Sequence, residues 1–291
     1  MAFVDYLVPL ASTDDTEIIT EPGKQGQNKL SFWERIAAHN SLIDADGHFD
    51  IQKYFHLRGW HISSFGDCEE NNCVSKLADE MAQSYEECRA FYKFLRSTIT
   101  KKQFQFAYSL TEHADNEKAK IIYIAKRMYD SGILINFTSK KDEVIYAKIS
   151  NAPKVINFVN GKFLEVMAVQ KTLDMLERIC EYHDCGYDVF PNTHIISNGK
   201  EHELDIVFYF DAIVFWVEVK SGGFTDYNQY RELGIEIGVN PNRHLLLTAE
   251  ISDEDSDAVG WFYECYVANI GNFDKKIQQM IEMALIEEGK I

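Results

Sequence analysis

The stretch from Glu201 to Ser221 constrains the fold of this chain more than any other. Two runs rich in β-branched and aromatic residues, Leu204 to Phe210 and Ala212 to Val219, flank a short break at Phe210, Asp211 and Ala212, a pattern that predicts an antiparallel hairpin. With the turn centred between Asp211 and Ala212, facing residues have numbers summing to 423. Asp205 then lies opposite Glu218, and Glu203 opposite Lys220, all on one face. Directly opposed side chains sit about 5 Å apart at Cβ, and like charges placed there are destabilising. Two carboxylates held so close on an apolar hairpin suit a hard divalent cation, which takes oxygen ligands and offsets their repulsion; Mg2+ or Mn2+ is the expected ion. Lys220 is two residues beyond Glu218, so the strand period puts its ammonium beside the same point. There it can orient a water or steady charge developing on a phosphate. Each carboxylate taken singly also fits the solvated face of an edge hairpin, with Lys220 neutralising Glu203.

The chain has 291 residues, enough for two ordinary domains or three small ones, and 46% of them are apolar, which suits folded cores rather than disorder. It contains no run of eighteen apolar residues, and its first residues lack the basic and apolar pattern of a secretory signal. Six scattered cysteines need no pairing in a chain of this size and point to a reducing cytoplasm, with no membrane partner. The formal net charge of −17 argues at first against a nucleic-acid partner. Its distribution reverses that. Residues 89–162 hold 14 Lys and Arg against 6 Asp and Glu, a net of +8, and the remainder carries −25.

Residues 1–84 read as a small mixed region of unknown role. Phe3 to Leu10 suits a strand, Thr20 to Lys29 a loop, Phe32 to Asn40 a short helix, and Gly59 to Ile62 the start of another strand. His48, His56, His61, Cys68 and Cys73 fall here without zinc-ligand spacing, and Cys180, His183 and Cys185 fare no better. Residues 85–160 form the second segment. Cys88, Phe91, Tyr92 and Leu95 recur at helical spacing, and Asp115 opens another helix with Ile121, Ile122, Ile124, Ala125 and Met128 on its buried stripe. Lys118, Lys120, Lys126 and Arg127 lie mostly outside that stripe. Two β-like runs follow, Ile133 to Phe137 and Val144 to Ile149, joined through a tip with Lys140 and Lys141. Helix, helix and basic-tipped hairpin resemble a winged-helix module, whose second helix enters a major groove while the wing touches phosphate. Packing between domains is the alternative use of such a module.

Residues 161–291 form the third segment. A long amphipathic helix starts at Gly161 and reaches about Tyr182, and Glu165 shares its stripe with Val169, Leu173, Leu176 and Cys180. A carboxylate on a buried face needs a partner: Lys162, the amides of the helix, or a cation shared with Asp205 and Glu218. A strand from Tyr187 to Ile195 leads to the hairpin; beyond Lys220 come a helix to about Ile237, strands over Arg243 to Ile251 and Tyr263 to Ile270, and a closing helix from Phe273 to Glu288.

Glu165 on a helix, Asp205 thirteen residues before Glu218, and Glu218-x-Lys220 in this order of elements resemble the PD-(D/E)xK nuclease superfamily over about residues 161–270. Leu204 stands where the superfamily pattern has Pro. The resemblance implies an α/β protein with a C-terminal restriction-endonuclease-like αβββαβ core, preceded here by the winged-helix-like middle and the mixed N-terminal region. It also implies that Asp205, Glu218, the Val219 carbonyl and Glu165 hold the metal, that Lys220 positions the attacking water, and that DNA, or else RNA, is hydrolysed. Gln229, Tyr230 and Lys171 become candidates to touch the nucleic acid, beside Lys118, Lys120, Lys140 and Lys141. The start of the helix after a winged-helix-like module is similar to CRISPR ancillary nucleases linked to a CARF sensor domain. That implies a role in antiviral defence and a nucleotide second messenger as activator. Two such domains in a homodimer would present paired sites to two strands. A nucleic-acid-binding module without catalysis, and a structural subunit whose acidic surface meets basic partners, remain as other readings.

Overall fold

A six-stranded mixed sheet holds the C-terminal half together. Its order is β1 (His61–Ser64), β5 (Tyr187–Ser197), β6 (Lys200–Phe210), β7 (Ile213–Lys220), β8 (His244–Thr248) and β9 (Tyr266–Ala268). Pairing is antiparallel from β1 through β7 and parallel from β7 through β9. The computed structural model describes residues 42–43, 49–66, 72–181, 185–222 and 227–290. The expected strand over Phe3 to Leu10, loop over Thr20 to Lys29 and helix over Phe32 to Asn40 lie outside the described residues, as do His48, Cys68 and His183.

The β6–β7 hairpin forms in the expected register: Phe210 pairs with Ile213, Phe208 with Phe215 and Ile206 with Val217. Asp211 and Ala212 both take positive φ, 48° and 61°, as a two-residue turn requires if it is to match the right-handed twist of its strands. Phe208 and Phe215 stack at 4.8 Å. Apolar burial covers both faces of this hairpin, because helices and the N-terminal elements pack on opposite sides. Ile206, Phe208, Phe210, Phe215 and Val217 join one apolar cluster with α6 (Phe163–Cys180) and α9 (Phe273–Glu287). Val207, Tyr209, Val214 and Trp216 join another with α1 (Ile51–His56) and the residues around α7 (Asn228–Glu236).

The alternation breaks at Asp205. Leu204 and Ile206 are two apart and would share a face of a regular strand, yet they belong to different clusters. The same reversal separates Val189 from Ile195 on β5. Between them Asn192 adopts φ 46°, and the ladder skips the Asn192–Asp205 pair while keeping Pro191–Ile206 and Thr193–Leu204. A left-handed residue thus twists two strands together at the position of the first candidate carboxylate.

Upstream, α2 (Asn72–Gln83), α3 (Tyr85–Thr100) and α4 (Asp115–Asp130) accompany a three-stranded antiparallel sheet of order β2 (Gln105–Ser109), β4 (Val144–Ile149) and β3 (Leu134–Lys140). Cys88, Phe91, Tyr92 and Leu95 are buried on α3, and Ile121, Ile124, Ala125 and Met128 on α4, at the expected helical spacing. Ile122 is only half-buried. The apolar core containing these residues continues into α6 and the large sheet, and Ser41–Ile291 form one compact unit. No helix among the described residues is long and apolar enough to cross a membrane.

Among the elements not anticipated are α1, α2, β2, and α8 (Asp253–Tyr263). Ser252 caps α8 by accepting from the Asp255 N–H, and Asp253, Glu254 and Asp255 occupy its first turn, where acidic groups favour the helix dipole. The strand expected from Tyr263 to Ile270 shrinks to Tyr266–Ala268 because α8 runs to Tyr263.

Candidate active site

The site is built where β7 ends beside the start of α6. α5 (Pro153–Asn157) passes into a five-residue π turn, Phe158–Lys162, and then into α6. Gly161 in that turn has φ 142°, and a Cβ there would stand 2.7 Å from Ser221 Cβ. Only glycine lets the helix start approach the end of β7 so closely. The Ser221 hydroxyl donates to the Asn160 carbonyl at 3.4 Å, and the Ser221 carbonyl accepts from Tyr85 Oη at 3.3 Å and Arg96 Nη1 at 3.1 Å, both on α3.

Asp205 Oδ2 accepts from the Val219 N–H at 2.7 Å, so a carboxylate takes the place of a strand carbonyl just where the β6–β7 ladder stops. Lys220 Nζ forms an ion pair with Glu218 Oε1 and lies 3.9 Å from Asp205 Oδ2. Its ammonium stands 5.2 Å from the centre of the Tyr230 ring. Asp205, Glu218 and Lys220 therefore converge. The β6–β7 ladder ends at Ile206–Val217, so neither Asp205 and Glu218 nor Glu203 and Lys220 are the ladder pairs that the simple extension of the hairpin expects; Glu203 Oε1 lies 3.9 Å from His194 Nε2 of β5. The twist at Asp205 ends the hairpin before those positions are reached.

Electrostatics follow from burial. Glu218 is 3% exposed, and its Oε2 has no hydrogen-bond partner. Desolvation, then the charge of Asp205, push its carboxyl up to about 8, against the pull of Lys220. Desolvation also raises Asp205, opposed by Lys220 and by the Val219 amide. Burial alone would lower Lys220, but the charges of Glu218 and Asp205 more than reverse this and hold its proton tightly. Glu165 is raised to about 7, first by desolvation and next by Asp205, with Lys162 at 3.6 Å opposing. Lys162 also donates to Asn192 Oδ1 at 2.7 Å, which ties the start of α6 to the left-handed residue of β5.

An open cleft of about 270 Å³ adjoins these groups. Asn157, Asn160 and Lys162 wall one side, with Glu165 from α6 and Glu203, Val219 and Ser221 from the strands. Asp205 and Glu218 are buried and do not themselves line it, whereas Val219 between Glu218 and Lys220 does. Among the described residues, no three His, Cys, Asp or Glu side chains form a group that could enclose a metal ion. Glu165 thus senses Asp205 electrostatically without closing a three-carboxylate cage. The paired hard oxygen donors of Asp205 and Glu218, with Glu218 Oε2 unpartnered, still fit a magnesium-like ion.

The remaining candidates are scattered. Tyr230 is half-buried beside Lys220, and Gln229 is exposed on α7. Lys171 is bound to Asp274 of α9 at 2.7 Å and lies outside the cleft wall. Lys118 pairs with Asp115 at 3.2 Å and Lys120 is half-buried, both on α4. Lys140 and Lys141 are exposed at the β3–β4 tip. Sequence reasoning missed Tyr85, Arg96, Asn157, Asn160, Asn192 and Ser221. Of these, Ser221 in the Ser221-Gly222-Gly223 break and Asn160 in the Asn-Gly pair at 160 and 161 carried visible turn signals.

No protein-family model matches the chain, and no curated protein matches it in sequence. Solved structures do. Protein VC1899 from Vibrio cholerae is similar over 80% of this chain and 60% of its own, with a TM-score of 0.57 and 14% identity. Can2 from Sulfobacillus thermosulfidooxidans, solved in complex with cyclic tetra-adenylate, is similar over 79% of this chain and 60% of its own, with a TM-score of 0.53 and 12% identity. What is shared at these identities is the fold, and this chain spans about 60% of the length of each neighbour.

Proposed function

We propose that this chain is a divalent-metal-dependent endonuclease that hydrolyses phosphodiester bonds in DNA, or else RNA. The observation that carries the reading is the meeting of two buried carboxylates, Asp205 and Glu218, with Lys220 at the end of one strand. Such an arrangement is unfavourable for stability alone, since like charges oppose each other in a medium that solvates neither. The order helix, three antiparallel strands, helix and parallel strand over α6 to β8 is the αβββαβ order that the resemblance to the PD-(D/E)xK superfamily implies, and supports the same reading.

In this function Asp205 and Glu218, with the Val219 carbonyl, would hold Mg2+ or Mn2+, and Glu165 stands nearby. The ion would supply positive charge to the phosphate and lower the proton affinity of a water. Lys220 keeps its proton, so its part is to donate hydrogen bonds to a phosphate oxygen or to the attacking water, not to act as a base. Glu165, poised near neutrality on the cleft wall, is the group able to accept a proton there. Lys162 and Asn192 hold the start of α6 that carries it.

The likeness to a protein whose structure is in complex with cyclic tetra-adenylate supports a place in antiviral defence under a nucleotide second messenger, the same role that the resemblance to CARF-linked nucleases implies. A homodimer belongs to this proposal. The direct test incubates the protein with single- and double-stranded DNA and RNA, with Mn2+ or with a chelator, with and without cyclic tetra-adenylate. Cleavage that needs the ion supports the reading; intact substrates under every condition reject it. A second reading, nucleic-acid binding without turnover, is favoured by the winged-helix-like unit, where Lys126 and Tyr123 of α4 and Lys140 and Lys141 of the wing are exposed. It predicts binding and no cleavage in the same experiment.

A further inference from the structure

We propose that Cys180 and Cys185 are a site of reversible oxidation: two thiols that close to an intramolecular disulfide and so join the end of α6 covalently to the residues leading into β5. Their Sγ atoms stand 3.1 Å apart, and the Cys180 thiol also donates to the Cys185 carbonyl at 3.4 Å. A disulfide is about 2.05 Å long, so about 1 Å separates the pair from a bond, a distance that small changes of side-chain torsion supply.

Core packing places both sulfurs. Cys180 is the last residue of α6, and it packs with Ile179, Cys185 and Tyr187 against the main apolar cluster. One residue beyond Cys185, the Gly186 carbonyl accepts from the Asp211 N–H of the β6–β7 turn at 2.8 Å, and Tyr187 pairs with Phe210. The backbone on each side of the pair is therefore fixed, and both residues are half-buried, not sealed in the core. Cys88 and Cys265 are placed differently: burial pushes the first thiol up to about 12 and the second up to about 11. Since the thiolate is the reactive form, those two stay inert.

The link acts on the helix that carries Glu165. At its start α6 is bound to β5 through Lys162 and Asn192. About 20 Å further along the helix, the thiol pair meets the approach to the same strand. Oxidation makes this second tie covalent. The chemistry is exchange with glutathione disulfide: one protein thiolate attacks a sulfur of that disulfide and expels a glutathione thiolate, and the other attacks the mixed disulfide and expels the second. Two protein S–H groups become one S–S bond, and glutathione disulfide takes up the two electrons and two protons as two thiols. In a reducing compartment the pair rests as the dithiol, and the disulfide is a transient, sensing state.

The test treats the full folded chain with glutathione disulfide, alkylates it with iodoacetamide and digests it with trypsin, which releases residues 179–200 with both cysteines and no other. By mass spectrometry this peptide should lose about tenfold or more of its alkylation, be lighter by two hydrogens, and regain alkylation after dithiothreitol. Oxidised wild type should melt about 4–8 °C above the reduced protein. Cys180→Ser and Cys185→Ser should show no such rise, and should instead carry glutathione on the remaining thiol. Full alkylation of wild type after the oxidant, glutathione retained on residues 179–200, Cys180 joined to any other cysteine, or an unchanged melting temperature overturns the proposal. So does a reduced protein whose two thiols alkylate only after a chelator is added, which would make them metal ligands. No nucleic acid enters this test, so its outcome is independent of the hydrolase reading.

Discussion

Replacing Glu218 by Gln keeps the shape of the side chain and removes its titration, and the consequence for stability has a definite sign. The folded carboxyl is held at about 8 against an ordinary 4.5, so between these values the native protein binds a proton that the unfolded chain has released. Stability from this group is complete below about pH 4.5 and is lost as pH rises toward 8. Each pH unit inside the window is worth about 1.4 kcal/mol, so the metal-free wild type should lose about 2 kcal/mol between pH 6.5 and 8. Glu165, raised to about 7, adds about 1 kcal/mol to that fall in both proteins. His244 is held at about 3 against 6.5, so its linkage lies below this window. For a unit of this size the Glu218 share corresponds to about 4–8 °C in Tm. Thermal unfolding in a chelator, followed from pH 6.5 to 8, should show a steep fall for wild type and a shallow one for Glu218→Gln. With Mn2+ the wild type should gain about 3 kcal/mol at a hundredfold excess over Kd, and the variant much less. Parallel curves in chelator, or equal stabilisation by Mn2+, would refute the reasoning.

Three further changes test other parts of the site. Lys220→Ala should cut phosphodiester cleavage by about a hundredfold or more while nucleic-acid affinity changes only a few-fold, measured by gel cleavage and anisotropy on the same oligonucleotide. Gly161→Ala forces a Cβ against Ser221 at a φ of 142°, and should lower stability by about 2 kcal/mol or more in chemical denaturation; an unchanged midpoint would mean the turn is not pinned. His244 stacks on Trp216 at 4.2 Å, and its depressed pKa, caused by burial, means that its own contribution to stability is lost as pH drops from 6.5 toward 3, against the gain from Glu218 and Glu165. His244→Phe keeps the stack and removes that loss, so the Tm of the variant relative to wild type should rise steadily as pH falls from 6.5 to 4.

The residues that were legible in advance share one property: their signal is contiguous. The β6–β7 register follows from alternation on either side of a two-residue turn, and the buried stripes of α3 and α4 follow from helical spacing. The helix over Asp253–Tyr263 was equally local, with a Ser252 cap and an acidic first turn, but Tyr263 beside Tyr266 and Val267 drew the end of it into an expected strand. Asn157 left no such trace, because an exposed carboxamide has the same sequence signature on any loop.

Sequence by itself determined the hairpin, the buried stripes of α3 and α4 and the pairing of acid and lysine near the end of β7, since backbone propensity and side-chain periodicity act over a few residues. Tertiary structure alone decided that Asn192 twists β5 and β6 at Asp205, that the β6–β7 ladder stops at Ile206–Val217, and that Gly161 abuts Ser221. Those outcomes depend on packing α6 against strands that lie tens of residues away, and on burial that shifts Glu218 and Glu165 toward neutral pH. Desolvation and close approach are properties of the assembled core, so no short window of sequence contains them.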